Sequence, residues 1–503
     1  MRHLKITLFI FGLLLWGCQE SIHDVVLSSE KEFIDFSLEK SLNPGLDETV
    51  TAEIINSEIR LIIPELADKK KLIATFNYKG DIVLVNSKKQ ESGTSLNDYS
   101  GPLKYIIQAE DGTQIVYTVK VTLKDELKSS LPHIYINIDD NGSITSKEVY
   151  ANGTITIEGK EAYSDYEGRM GIRGRGNTTW GLPKKPYKIK LDSEASLFGM
   201  PAYREWILLA EYLDGTMLYN SIPYKTARML EIPYTNHLIP VELTINDEYQ
   251  GVYSFTEHKE VGENRIDIGE NGVLLELDTY FDEVWKFTSE KYDLPVMIQF
   301  PKEKDMSQER LDEIRSDFEN FEALVFDPEF PENDYLDYFD DLSFVNYMIV
   351  YQLTLNMEIN YPKSTYINKK AGGKYRMGII WDFDHGFAYS SSSPHYNINY
   401  AGSPLFWNQA TPAPGEAFFG KIMNDPHMGS LFKERWNWFK TNKYQELREY
   451  VTSWSDIIGP SLTGDHDLWG ERGSSGDAGT DLQRVLNWLD ARVDYLDDYV
   501  SGF

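Results

Sequence analysis

The sequence predicts an α+β protein with more than one domain, and three observations lead to this expectation. The length of 503 residues is too great for one ordinary hydrophobic core. Short β-type runs separated by turn residues occupy residues 31–124, and further β-type runs around at least one helix occupy residues 132–300. Apolar residues then recur at helical spacing from about residue 305 onward. An apolar fraction of 41% indicates a folded chain rather than a disordered one.

The first 17 residues have the pattern of a signal peptide. A positively charged start is followed by an apolar run at residues 6–16, which is too short to span a bilayer stably. Cys18, the only cysteine of the chain, comes shortly after this run. A lone cysteine in this place resembles a bacterial lipoprotein signal, which implies cleavage before Cys18, lipidation of its sulfur and a tether over residues 18–30. The alternative is an ordinary secretory signal with a chance cysteine.

We therefore expect a protein of the cell envelope, held at the outer membrane or cell surface by its lipid anchor. The 79 acidic residues outnumber the 49 basic ones, so the formal net charge is −30. A surface of this charge repels nucleic acid, which we do not expect as a partner. A single cysteine also excludes an internal disulfide.

Residues 31–124 predict a small all-β sandwich. Its last part combines a turn at Asp111-Gly112-Thr113 with an alternating strand, which is typical of a hairpin. The segment resembles the Ig-like or cadherin-like modules near the N-terminus of Bacteroidetes surface lipoproteins. A spacer or a binding module is the expected role, and a polar linker to Pro132 separates it from the rest of the chain.

An unusually basic run extends from Ile172 to Leu191 in this otherwise acidic chain. Its glycines allow a backbone to approach a ligand closely, and its cations suit an anion such as phosphate. The alternative is a solvated hairpin that neutralises nearby acidic residues. The candidate phosphate-binding residues are Arg173, Arg175, Lys184, Lys185, Lys188 and Lys190.

Two carboxylates follow the apolar residues Gly378-Ile379-Ile380, which we expect to end a buried strand. Asp382 and Asp384 are two positions apart, so in an extended segment they share a face and can bind one divalent cation. The alternative is a pair of aspartates that cap turns at the end of a strand. Further along, the polar segment Gly459–Gly479 predicts a surface loop.

Five stretches in a fixed order resemble the CotH kinase family, an atypical relative of protein kinases. They read RGRGNTTWGLPKKPYKIKL, EWILLAEYLDGTMLYNSIPYKTARML, VELTINDEYQGVYSFTEH, NMEINYPKSTYIN and WDFDHGF, and they fall within residues 132–500. The resemblance implies a two-lobed, atypical protein-kinase-like domain that follows the sandwich. A sheet-rich lobe at about 132–300 would bind ATP, and a helical lobe at about 305–500 would supply catalytic groups and hold Mg²⁺ or Mn²⁺.

The resemblance also implies roles for individual residues. Asp382 corresponds to the metal-binding aspartate, and Asp384 is a supporting ligand. Glu358 falls where the family usually has the catalytic aspartate. The basic run lies near the phosphates. Glu257 lies near the place where the family's lobes join, and we assign it with the basic run to nucleotide or phosphate binding.

Two departures from the family pattern leave the reaction open. Glu358 is one methylene longer than aspartate, and a displacement of about 1 Å can cost on the order of 100-fold in rate. Ser364 stands near the place of an asparagine that binds a second metal. We therefore expect a kinase that phosphorylates Ser or Thr of proteins, or a pseudokinase that binds a surface protein or glycan. A third, weaker hypothesis is a metal-dependent phosphohydrolase with His385 as its base.

Overall fold

The computed structural model describes residues 27–55, 57–64, 67–123, 131–160 and 162–503. The predicted signal peptide, Cys18 and most of the predicted linker lie outside the described residues, so these predictions stay predictions. Within the described ranges, every helix is too short or too polar to cross a membrane.

Two compact units make up the chain. The first runs to Leu42 and also includes Thr49–Leu61 and Lys69–Val121, and the second comprises Asn43–Glu48, Ile62–Asp68 and Thr122–Phe503. The division into a sandwich domain and a kinase-like domain at about residue 130 stays a prediction.

The described residues of the N-terminal region form eleven short strands. They are β1 (Glu32–Leu38), β2 (Val50–Thr51), β3 (Glu53–Ile55), β4 (Glu58–Ile63), β5 (Leu72–Ile73), β6 (Thr75–Lys79), β7 (Ile82–Val85), β8 (Lys88–Lys89), β9 (Leu96–Asn97), β10 (Leu103–Gln108) and β11 (Gln114–Leu123). The main sheets have the orders β2-β1-β6 and β3-β4-β11-β10-β7-β8. The rings of Phe36 in β1 and Tyr105 in β10 lie 5.4 Å apart, so these two sheets pack face to face. This β-rich region is consistent with the predicted sandwich.

Seven strands of the second unit close into a barrel of order β12-β13-β14-β15-β16-β18-β17. They are β12 (His133–Ile138), β13 (Ala151–Glu158), β14 (Tyr166–Gly174), β15 (Tyr187–Ala195), β16 (Tyr203–Leu209), β17 (Ile239–Ile245) and β18 (Glu248–Glu257). Apolar residues of these strands form one buried cluster. Helix α1 (Ser221–Met229) lies between β16 and β17 in the chain.

The remaining strands form an antiparallel sheet of order β20-β21-β19-β22-β23. They are β19 (Val273–Leu277), β20 (Lys286–Thr288), β21 (Pro295–Phe300), β22 (Thr365–Lys369) and β23 (Arg376–Met377). The helices are α2 (Gln308–Phe326), α3 (Tyr335–Tyr338), α4 (Asp341–Thr354), α5 (Pro414–Met423), α6 (Pro426–Asn442), α7 (Tyr444–Trp469) and α8 (Ala478–Ser501). The α+β class is confirmed, whereas the two-lobed kinase-like arrangement stays a prediction.

Two expectations about local structure were wrong. Helix α7 continues through Pro460 to Trp469, where the sequence predicted a loop, because Leu462 and Asp465 are buried and hold the helix in place. Strand β23 ends at Met377, before the expected strand end, and the next residues are buried without belonging to a strand.

Candidate active site

A cleft of about 400 Å³ lies within the second unit, between residues of the barrel and residues of irregular segments that follow α4 and β23. The predicted site residues that line it are Arg173, Arg175, Lys188, Glu358, Asp382 and Asp384, and His385, the base of the third hypothesis, also lines it. The cleft therefore brings cations from one part of the sequence together with carboxylates from another.

The cationic wall of the cleft comes from β14, β15 and the residues just after β14. Arg173 in β14 and Lys188 in β15 are direct partners across the two strands, so their side chains are neighbours. The Nε atom of Arg173 is buried and has no hydrogen-bond partner among the described residues. The guanidinium of Arg175 lies 5.5 Å from the ring centre of Trp381, beside the predicted metal-binding pair. A buried N–H donor without a partner in the described part of the chain, such as Nε of Arg173, is suited to bind an anionic ligand.

Lys188 is held inside the cleft by residues of neighbouring strands. Its Nζ atom lies 2.7 Å from a carboxylate oxygen of Glu205 and 3.2 Å from Nε2 of His258. Burial lowers the pKa of Lys188. Although burial opposes it, the contact with Lys188 lowers the pKa of Glu205 to about 2. The two side chains therefore form an ion pair at neutral pH.

The described residues contain one group of three metal-ligand side chains whose ligand atoms lie within 4.8 Å of one another, namely Glu205, His258 and Glu260. The ammonium of Lys188 already lies against two of its members. A divalent cation there would have to displace this positive charge, so the group is better explained as the partner of Lys188.

Lys184 and Glu257 are placed outside the lining of the cleft. Lys184 is completely buried, and its Nζ atom lies 2.6 Å from Oδ1 of Asp465 in α7. Burial lowers the pKa of Lys184 to about 8. Glu257 accepts hydrogen bonds from the backbone and the ring of His237, at 2.8 and 2.6 Å. Both residues have structural partners, and their assignment to phosphate binding stays a prediction.

Lys185 and Lys190 are likewise absent from the residues that line the cleft. Lys185 donates to the carbonyl oxygen of Trp180 at 2.8 Å. Lys190 shares Glu205 with Lys188, at 3.5 Å, but its side chain is 43% exposed. Their assignment to the phosphate site also stays a prediction.

The acidic wall comes from irregular segments. Asp382 has a positive φ of 60°, so residues 382–384 do not continue an extended strand, and the expected same-face geometry was based on the wrong backbone. A left-handed conformation costs a non-glycine residue roughly 1 kcal/mol or more. Asp382 and Asp384 nevertheless line the same cleft.

The carboxylates of this wall repel one another. Burial and the charge of Asp382 raise the pKa of Asp384 well above its usual value. The same two causes raise the pKa of Glu358 to about 7. The Nζ atom of Lys363 lies 3.3 Å from a carboxylate oxygen of Glu358 and opposes this rise. A bound divalent cation would relieve the repulsion, so the donor set fits a hard cation such as Mg²⁺.

One comparison with known protein families covers the part of the chain that forms the cleft. A family model described as CotH kinase protein matches residues 172–496, which is more than half of the chain. The chain belongs to the CotH kinase family. The resemblance inferred from the five sequence stretches is therefore confirmed. The match covers the two cleft walls just described, from Arg173 to the aspartates after β23.

Other comparisons add little to this family assignment. The curated proteins contain no match to the CotH kinase chain. A solved structure from Bacteroides thetaiotaomicron, described only provisionally as a glycoside hydrolase, is 16% identical and covers 59% of this chain and 88% of that chain, with a TM-score of 0.16. A likeness at this TM-score supports no conclusion about fold or function.

Sequence reasoning missed two polar residues of the CotH kinase cleft, Glu211 and Asn220. Both lie in the second family stretch, but no role was assigned to them. The Asn220 amide donates to Glu211 at 3.1 Å, and its oxygen accepts from the backbone N–H of Phe383 at 3.0 Å. Burial raises the pKa of Glu211 to about 7. An isolated Glu and Asn nine positions apart carry no sequence signal for this contact.

Glu358 and Ser364, the two residues that depart from the family pattern, both line the cleft, and hydrogen bonds hold their backbone there. Ser364 donates its backbone N–H to Asp278 at 3.1 Å, and both residues line the cleft. The backbone N–H of Glu358 donates to the side chain of Asn356 at 3.3 Å. Lys363, which sequence reasoning also missed, places a positive charge between these two positions.

Proposed function

We propose that the protein is an envelope-anchored CotH-like kinase that transfers the γ-phosphate of ATP to Ser or Thr of protein substrates, with Mg²⁺ or Mn²⁺. One observation carries this proposal: a single cleft joins the cations of β14 and β15 to the carboxylates Glu358, Asp382 and Asp384. Catalysis of phosphoryl transfer consists mainly of positioning and charge neutralisation, which such a cleft can provide.

Lys188 is the lysine that we assign to the ATP phosphates. It lines the cleft, and Glu205 holds its ammonium in place. Lys184, by contrast, forms a buried ion pair with Asp465. Arg173 contributes the buried Nε donor that lacks a partner among the described residues. Charge-assisted hydrogen bonds of this kind suit phosphate oxygens.

Asp382 and Asp384 are the residues that would hold the metal ion. When bound, the ion supplies positive charge that neutralises the phosphates. Glu358 would accept or orient the hydroxyl proton of the acceptor. Burial and the charge of Asp382 raise its pKa to about 7, and a general base is most effective when its pKa lies near the working pH.

The location and the partners of the kinase rest on the sequence. A lipid at Cys18 would attach the protein to the outer membrane or the cell surface. We propose an envelope protein as the phosphate acceptor and exclude nucleic acid because of the net charge of −30.

A second candidate function is a pseudokinase or binding lipoprotein that recognises a surface protein or glycan. The specific observation in its favour is that Glu358, with its longer side chain, is paired with Lys363 at 3.3 Å. If this geometry prevents turnover, Glu358→Asp will create a phosphotransferase activity that the natural protein lacks.

The test uses the soluble chain from Gln19 onward with γ-labelled ATP, Mg²⁺ or Mn²⁺, and casein as a test acceptor. We expect label on the kinase itself or on casein, and loss of at least 100-fold in Asp382→Ala. Asp282→Ala is the matched control, because Asp282 also lines the cleft but contacts Asn177 at its mouth. This control should keep most of the activity.

The other outcomes separate the two candidates. Metal-dependent ATP binding that Asp382→Ala abolishes, without any transfer of label, would establish the pseudokinase. Absence of both label and ATP binding would contradict nucleotide binding by this protein and would leave a fold that is used for recognition of a surface protein or glycan.

A further inference from the structure

The metal-binding pair lies in a segment whose shape is not set by a regular hydrogen-bond ladder. Residues 378–383 belong to neither a helix nor a strand, and Asp382 has a left-handed φ of 60°. Backbone in such a conformation persists only where the surroundings over-determine it. Contacts from elsewhere in the chain must therefore hold Asp382 and Asp384 in place.

Asn220 provides the first of these contacts. It stands at the N-terminal cap position of α1, where an asparagine usually accepts a hydrogen bond from its own helix. In the described structure its side chain makes no such bond. The amide bridges instead from Glu211 to the backbone N–H of Phe383. All three residues are nearly completely buried, so water is poorly placed to replace these bonds.

His395 provides the second contact. Its Nε2 atom lies 2.8 Å from the carbonyl oxygen of Asp384, so this nitrogen must carry the proton and donate it. The imidazole is stacked between the rings of Tyr219 and Tyr389, with centroids 5.1 and 4.4 Å away. This packing fixes the direction of the hydrogen bond.

One contact holds a peptide group between the two aspartates, and the other holds the peptide group that follows the pair. Asn220 holds the peptide between Asp382 and Phe383, and His395 holds the carbonyl of Asp384. We propose that Asn220 and His395 are positioning residues that hold Asp382 and Asp384 toward one divalent cation. This inference rests on the proposed function, because it assumes that the pair binds the cation of the kinase.

The first measurement is hydrogen exchange of residues 378–388 in the metal-free soluble chain. Asn220→Ala removes the acceptor of the Phe383 N–H, and His395→Phe keeps an aromatic ring for stacking but removes the donor to Asp384. We expect at least 10-fold faster exchange of this segment in each variant. Asn346→Ala is the matched control, because Asn346 is also buried but bonds to Leu230 and Arg435.

The second measurement is the affinity for Mn²⁺ alone, followed by electron paramagnetic resonance. Loss of a residue that orients a metal ligand typically weakens metal binding by about 10- to 100-fold. We expect a loss in this range for Asn220→Ala and His395→Phe, and a change of less than about 2-fold for Asn346→Ala. A thermal melt verifies that each variant is folded, and the two variants remove different hydrogen bonds to the segment.

The outcomes are distinguishable from failure of the kinase proposal. If both variants exchange residues 378–388 at the rate of the natural protein and bind Mn²⁺ with its affinity, the positioning role is overturned. Faster exchange with unchanged Mn²⁺ affinity would also overturn it, while leaving the kinase proposal intact. If the natural protein binds no Mn²⁺, cation binding by Asp382 and Asp384 is contradicted in the kinase proposal and in the positioning proposal. The exchange rates still show whether Asn220 and His395 hold the segment.

Discussion

The two walls of the cleft are built from different kinds of structure. Arg173 and Lys188 stand on paired barrel strands, where each backbone position is fixed by its neighbours in the sheet. Glu358 lies in a short 3₁₀ turn, and Asp382 lies in an irregular segment. The cations are thus presented by regular structure, and the carboxylates are presented by loops.

This difference decides how a substitution acts on each wall. On the cationic wall, the barrel maintains the backbone, so a substitution removes one charge and little else. On the acidic wall, the backbone depends on distant side chains; Asn220 and Phe383 are 163 positions apart. Changes around the acidic wall should therefore alter shape as well as charge.

The largest expected effect comes from a lysine of the basic run that does not line the cleft. Lys184→Met removes one of two buried cations that contact Asp465, and Arg472 keeps the carboxylate paired. Breaking a buried ion pair typically costs about 3–5 kcal/mol, and the remaining pair places this loss at about 3 kcal/mol. We expect the free energy of unfolding in urea to fall by this amount, while the affinity of the folded variant for ATP changes by less than about 3-fold. Lys185→Met is the control and should change neither quantity greatly. Weakened ATP binding at unchanged stability would place Lys184 in the site.

The next effect depends on pH and concerns Glu211, a buried residue of the cleft that accepts a hydrogen bond from Asn220. Its pKa in the folded protein is about 7, against an ordinary value of 4.5. Its contribution to stability is therefore complete below pH 4.5 and is lost as the pH rises through 7. Glu211→Gln cannot lose a proton, so its stability relative to the natural protein should rise between pH 5 and pH 8. A rise from 4.5 to about 7 corresponds to roughly 3 kcal/mol.

Urea unfolding at both pH values measures this difference. The exposed Glu148, which also lines the cleft, provides the control variant Glu148→Gln, and it should leave the pH dependence unchanged. An equal stability difference at pH 5 and pH 8 would contradict the burial cost that we assign to Glu211.

The fold was predictable where the pattern is local. Alternating apolar residues predicted strands such as β12, and apolar residues at helical spacing predicted α2 and α4. Closure of the barrel was not predictable, because it depends on pairing between β12 and β17, which are about 100 residues apart. Helix α7 was missed because burial of Asp465 outweighs the helix-breaking tendency of Pro460.

The same distinction applies to the candidate site. Asp382, Asp384 and Glu358 could be chosen because they lie in compact family stretches. Lys184 and Lys188 could not be told apart, because both are basic residues of one run and only tertiary packing buries one against α7. The bridge from Asn220 to Phe383 is a long-range contact without a local pattern.

Lys188→Met tests the cationic wall directly. Loss of a charge-assisted hydrogen bond to phosphate costs about 1.5–3 kcal/mol, so the affinity for a fluorescent ATP analogue should fall by roughly 10- to 100-fold. Lys190→Met is the matched control, because Lys190 contacts the same Glu205 but lies outside the cleft lining. We expect a change of about 2-fold or less there. Equal losses in the two variants would indicate a general effect of charge rather than a specific contact.

The smallest expected effect concerns an exposed hydrogen bond between Thr178 and Tyr280, two residues that line the cleft. The hydroxyl groups of Thr178 and Tyr280 lie 2.5 Å apart, and the bond is exposed to solvent. Such a bond contributes only about 1 kcal/mol. We expect it to open when a nucleotide enters or leaves, because both residues line the cleft. Tyr280→Phe keeps the ring and removes the bond, so both the association and dissociation rates should rise by about 2- to 5-fold, with little change in Kd.

Stopped-flow fluorescence with the same ATP analogue measures both rates. Tyr361→Phe is the control, because Tyr361 is 48% exposed, close to the 47% of Tyr280, but does not line the cleft. A change confined to the dissociation rate would mean that the Tyr280 hydroxyl contacts the nucleotide itself. Equal acceleration of both rates would mean that the hydrogen bond restrains entry and exit, and that Thr178 and Tyr280 separate when a nucleotide binds.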